Sequence, residues 1–288
     1  MRQPLLILAL IIFLALAGAR QPALAGLHPT LDLQNIGGWA LALEALSFAG
    51  YYMYKNSPAQ RTRGYEENLG PGEWYLAAYS GLSYLPAADW QAFKNEGYIP
   101  MKGRTAKNIF YQPGVTGGLK FGRYFDSLPW FGIEVETSLS RNNIRGNQGR
   151  ISPLAPGGPN NLFGGSDWFI DWTMQTSFLV RHGFLKDKEV TFGRLQPYVG
   201  LGPGWEVVYA THDSAKNYAI EAQAGVRYMI TENLGLFCEY KFSYQFAIEY
   251  QDLPAGKQVP ATANWSFDLP HHRLVLGVSY HFKNLYGN

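Results

Sequence analysis

The chain has 288 residues, of which 47% are hydrophobic, 15% aromatic and only 16% charged. A polytopic helical membrane protein needs several stretches of about 20 apolar residues, and the one long run here is at the N-terminus; aromatic content with low charge excludes intrinsic disorder. The formal charge is +2, but Arg2 and Arg20 fall in the N-terminal segment, so the remainder is neutral and has no basic surplus for nucleic acid.

Residues 1–25 have the pattern of a secretory signal. Arg2 provides the charged start, Leu5 to Leu16 the apolar stretch, and Ala23-Leu24-Ala25 a small-residue cleavage site near Ala25. Residues 26–72 form an N-terminal lead-in and linker. Gly38 to Tyr54 suit a short helix lying on a membrane surface or an ordered segment packed on the next domain, and both readings stand. Cys238 is the only cysteine and can form no internal disulfide.

From Glu73 to the end at residue 288, period-two alternation dominates, which marks strands with two different faces. The segments are 73–85, 113–124, 130–141, 168–182, 195–210, 218–230, 234–246 and 273–282. In the last, Leu274, Leu276, Val278, Tyr280 and Phe282 oppose Arg273, Val275, Gly277, Ser279 and His281. Long connections at one end alternate with short ones, such as Thr231-Glu232-Asn233, at the other. The stretch 152–165 reads as an irregular exposed loop and 212–216 as a short one.

Alternating strands can close with the apolar face inward, as in a soluble barrel, or outward toward lipid. The polar faces here are rich in Gly, Ser and Thr with few charges, too sparse for a solvated surface but suited to the narrow interior of an eight-stranded barrel. Trp74, Tyr84, Trp172, Trp205, Tyr209, Tyr228 and Tyr280 lie on the apolar faces near strand ends, as interfacial girdles require. The expected fold is all-β: an eight-stranded antiparallel up-and-down transmembrane β-barrel preceded by a short lead-in.

Three stretches resemble the small bacterial outer-membrane barrels of the OmpA-like type. Glu73 to Gly81 (EWYLAAYSG) is similar to the family's first strand, Tyr198 to Gly202 (YVGLG) to its glycine-rich central strand, and Gly277 to Phe282 (GVSYHF) to its C-terminal insertion signal. The resemblance implies a membrane-insertion signal at Gly277, Tyr280 and Phe282, recognised by the barrel-assembly machinery. It also implies an outer-membrane location with both barrel termini in the periplasm. Val275, at a position usually polar, and Lys283–Asn288 after Phe282 depart from the pattern.

With polar faces inward, the lumen receives Glu134, Glu136, Asp171, Glu206, Glu221 and Glu239, opposed by Lys120, Arg181, Arg227, Lys241 and Arg273, with His281 near the periplasmic end. Unpaired buried charge costs several kcal/mol, so a lumen-filling chain of ion pairs is expected. That argues against a wide porin, which needs about 16 strands, and leaves a narrow channel for small solutes as an alternative.

No nucleophile elbow, P-loop, HExxH or CxxC occurs. Catalytic candidates lie toward the long connections: His212, Glu249, Asp252, His271 and His272. The stretches Phe237 to Phe242 and His271 to Phe282 are similar to barrels described as lipid A oxidases, which implies an enzymatic alternative acting on lipopolysaccharide, and only there a divalent metal. The leading expectation is a barrel, monomeric and without cofactor, with a structural or surface-interaction role. Its partners would be outer-membrane lipids and lipopolysaccharide, not nucleic acid.

Overall fold

The computed structural model describes residues 73–95, 99–210, 213–255 and 261–282. The chain divides into two compact units, Met1–Asn68 and Leu69–Asn288, and every described residue belongs to the second. The signal segment 1–25, the lead-in 26–72, His212, the Asp252 side chain and the tail Lys283–Asn288 lie outside the described residues.

Eight long strands form the barrel: β1 (Glu73–Tyr84), β4 (Tyr111–Tyr124), β5 (Phe131–Ile144), β8 (Asp167–Arg181), β9 (Leu195–Ala210), β10 (Asp213–Met229), β11 (Leu234–Ala255) and β12 (Ala261–Phe282). Each pairs antiparallel with the next in that order, and β12 returns to β1 from Trp74↔Phe282 to Tyr84↔His272. Closure leaves these strands no free edge. Period-two alternation becomes two faces: Leu76, Leu82, Leu119, Leu139, Phe178, Leu201, Ile220, Leu236 and Leu276 are exposed, while the polar alternates are buried. At the tight β10–β11 turn, Thr231 Oγ1 accepts the Leu234 amide at 3.1 Å, a local alternative to ladder bonding.

The long connections are not irregular, and here the structure corrects the sequence reading. Segment 86–112 contains β2 (Ala88–Asn95) and β3 (Thr105–Ile109), and 145–166 contains β6 (Gln148–Ser152) and β7 (Asn161–Phe163). These four extend the sheet from β12 in the order β2, β3, β6, β7, and β7 comes back beside β11. The 152–165 stretch, expected to be exposed, buries Leu162 and Phe163. The expected 212–216 loop is already strand from Asp213, which pairs with Ala210. Asp213 and Lys216 hid the continuing alternation of buried Ala215 and Asn217 with exposed Tyr218.

β11 and β12 run well beyond the barrel, and along them the inside changes character. Below, inward positions of β12 are His271, Arg273 and Ser279; above, they are Ala263, Trp265, Phe267 and Leu269. β11 makes the same change through register shifts at Gln245/Ile248, with Ala247 at φ 46°. A β-bulge of this kind re-aims side chains without ending the strand. The result is a polar-filled barrel surmounted by an apolar-filled cap, centred on Trp90, Tyr250, Trp265 and Phe267. Trp90 stacks on Phe267 at a centroid distance of 4.0 Å.

Candidate functional site: the charged lumen and its cap

Each barrel strand contributes alternate side chains to the lumen, so a single parity choice per strand fixes the whole constellation. All eleven charged residues expected to face inward are buried. At the centre, Lys120 Nζ lies 3.1 Å from Glu134, 3.2 Å from Glu136 and 2.7 Å from Glu239. Lys241 pairs with Glu136 from the other side, and Arg273 with Glu221 at 2.6 Å. Tyrosines complete the carboxylate shells. Tyr75 donates to Glu134 at 2.6 Å, Tyr198 to Glu239 at 2.7 Å, and Tyr79 to Glu136. Charge-assisted hydrogen bonds of this kind are the strong ones.

Glycine lets the aromatics fit. A Cβ on Gly277 would lie 2.3 Å from the Phe237 ring, so only glycine admits that side chain to the lumen. Toward the turn end, Arg181 pairs with Glu73, donates to Gln196 at 3.0 Å and lies 3.4 Å above the centre of the Tyr124 ring. His281 Nδ1 is 3.2 Å from the same Glu73. Glu73 was not among the expected residues, although its parity with Tyr75 and Ala77 marks it as inward.

Two members depart from the expected chain of ion pairs. Among the described residues no carboxylate lies within ion-pair distance of Arg227; its guanidinium sits 4.6 Å from the Tyr75 ring centre and 5.3 Å from that of Tyr198. Aromatic faces attract a desolvated cation through the ring quadrupole, which replaces the missing pair. Neither Glu206 oxygen accepts a hydrogen bond from the described residues.

His271 and His272 point to opposite faces, so the pair expected at a loop mouth cannot act together. His271 is in the lumen, bridging Asp171 Oδ2 at 2.9 Å and Ser83 Oγ at 2.8 Å. His272 faces outward among Tyr84, Tyr240 and Phe242, with Tyr240 Oη 2.6 Å from Nδ1. Glu249 is exposed on the β11 extension, opposite Ser266, about 17 Å along the strand from His271 at 3.4 Å per residue. No group of three metal-ligating side chains occurs among the described residues.

The order Asp171, His271, Ser83 matches the orienter, base and hydroxyl of a nucleophilic triad. Sequence inspection missed it because Ser83 is 188 residues from His271; only the β1–β12 closure joins them. Its setting is wrong for catalysis. All three are sealed from solvent, Ser83 Oγ is 2.7 Å from Asn142 Oδ1, and the cap core lies above. A catalytic site needs a concavity that admits substrate; here the arrangement ties β1, β8 and β12 together.

Apolar outside, polar inside and closed on itself, the barrel pairs each of its eight strands on both sides while presenting hydrocarbon to its surroundings. The fold is that of a small transmembrane β-barrel. No family model matches the chain, and no curated protein sequence does. Solved structures similar in strand arrangement include Neisserial surface protein A, at 12% identity over 73% of this chain and 97% of that one, with a TM-score of 0.37. They also include the outer-membrane protein OprG of Pseudomonas aeruginosa, at 13% identity over 74% and 97%, TM-score 0.45. A third is the outer-membrane protein AlkL in lipid bilayers, at 17% identity over 79% and 98%, TM-score 0.44. What assigns this chain to a membrane is the distribution of its own side chains.

Proposed function

We propose that the protein is an outer-membrane barrel that carries a folded cap at the cell surface, with a structural or surface-interaction role, and not a solute channel. One observation carries this reading: the lumen is closed twice, by the ion-pair network around Lys120 and then by the aromatic core around Trp90 and Trp265. A water-filled path would have to break both. The cap end is taken as extracellular because outer-membrane barrels carry long connections outside and short turns in the periplasm. That orientation puts both ends of the barrel sequence in the periplasm.

The test is reconstitution of the full chain in planar bilayers. We expect no unitary conductance above lipid leak. Reproducible steps that change size when Lys120 is replaced would overturn the reading in favour of a narrow channel.

A further inference from the structure

The outer surface of β5 crosses the membrane boundary, and its sequence records the crossing. Val135 and Leu139 are exposed and apolar; the next outward positions are Arg141, Asn143 and Arg145. Two residues of strand span about 7 Å, so Arg141 stands one outward position beyond Leu139, level with the exposed Val115, its register partner on β4. Trp168, exposed on β8 beside Asn143, gives the interfacial aromatic expected at this depth.

Arg141, Asn143, Arg145 and Trp168 line one open cleft of about 350 Å³, together with Gln112 and Ser166. Neither arginine has an acidic partner within ion-pair distance among the described residues. Asp167, at the rim, is already engaged: its Oδ1 accepts the Trp168 amide at 2.8 Å. The cleft is built by a register shift between Gln112 and Val115. Gly114 in that bulge permits the approach, since a Cβ there would lie 1.9 Å from the Arg141 carbonyl oxygen. Guanidinium forks are suited to phosphate oxygens, and the amides of Gln112 and Asn143 add neutral donors.

We infer that this cleft binds the phosphorylated headgroup of an outer-leaflet glycolipid, its acyl chains lying on the Val115–Leu139 face. Arg141 on β5 and Arg145, one residue past the end of that strand at Ile144, are four residues apart and both exposed. That separation suits two phosphates on one headgroup better than a single phosphate held by both. The inference deepens the surface role proposed above by naming a lipid class. It depends on the cap end being outward, but not on a closed lumen, so a conducting barrel would leave it standing.

The experiment uses the full chain in phosphatidylcholine nanodiscs doped with bisphosphorylated lipid A or with the same lipid stripped of its phosphates, bound lipid being counted by native mass spectrometry. The wild type should retain the bisphosphorylated lipid roughly tenfold better, the order of one or two charge-assisted contacts. The Arg141→Gln/Arg145→Gln variant should lose that preference while keeping heat-modifiable migration, and Lys186→Gln at the turn end should keep it. Equal retention of both lipids by the wild type, or an undiminished preference in the double variant, would overturn the assignment. The wild-type comparison decides the matter even if the double variant fails to fold.

Discussion

Lys120 shows how the lumen is held, because one ammonium serves three carboxylates that arrive from β5 and β11. Removing the cation leaves buried Glu134 and Glu239 without their cationic partner, while Glu136 keeps Lys241. A broken buried pair costs about 3–5 kcal/mol, because the remaining charge has no compensation. Lys120→Met should therefore lower the unfolding free energy, measured by urea titration in detergent, by that order, with heat-modifiable migration lost at a lower temperature. Tyr198→Phe, which removes one hydrogen bond to Glu239 and no charge, should cost about 1.5–3 kcal/mol in the same assay.

A second residue-scale expectation lies outside the membrane span, in the β8–β9 turn. The Asp187 carboxyl is held below its ordinary value, first by the Val190 amide and then by Arg194, which donates to it. A depressed carboxylate stabilises the folded turn at pH above its unfolded value and releases that stabilisation as pH falls through the folded one. An NMR titration of Asp187 should thus find a midpoint below that of a free aspartate. Arg194→Gln should move it upward; an unmoved midpoint would assign the shift to the backbone amides alone.

At the scale of elements, the cap and barrel differ in what holds them. Short strands β2, β3, β6 and β7 have few ladder bonds each and depend on Trp90, which contacts Phe163, Tyr250 and Phe267 through its ring. Truncating a buried tryptophan costs about 3–5 kcal/mol, and here the loss falls on elements outside the closed barrel. Trp90→Ala should expose 88–109 and 148–163 to hydrogen exchange and protease while the barrel still resists heat in mild detergent. Loss of both together would mean that cap and barrel form one cooperative unit.

The eight barrel strands were legible in the sequence because each repeats one simple rule, apolar outward and polar inward, over a dozen or more residues. The cap strands were not. β7 has three residues and β3 five, too short for periodicity, and their apolar side chains face a core that exists only after β12, β2, β3 and β6 have paired. The β11 and β12 extensions were missed for a different reason. Their alternation continues, but polarity reverses at Ala247 and around Leu269–His271, so a reader following the lipid face loses the strand where the membrane ends.

At the scale of the whole molecule, the reversal of polarity along the barrel axis is the feature that governs behaviour. Lipid outside requires an apolar exterior and leaves the polar residues to fill the lumen; water outside requires the opposite, and the same strands satisfy both in succession. This arrangement predicts a silent protein in bilayers, as stated above, and a heat-resistant one in detergent. It also leaves an interfacial ring where Arg141, Trp168, Tyr84 and His272 mark the boundary on the outer surface.

The sequence by itself determined the strand count of the barrel, which face of each strand points to lipid, and hence which charged side chains enter the lumen. All three follow from parity, and parity is local. Only the tertiary structure decided who meets whom. Closure of β12 on β1 brought His271 to Ser83, the narrow radius focused three carboxylates on Lys120, and Arg227 found tyrosine faces where a carboxylate was expected. The folding of the long connections into a cap was decided there too, since hydrophobic burial depends on partners far apart in the chain and no local pattern records them.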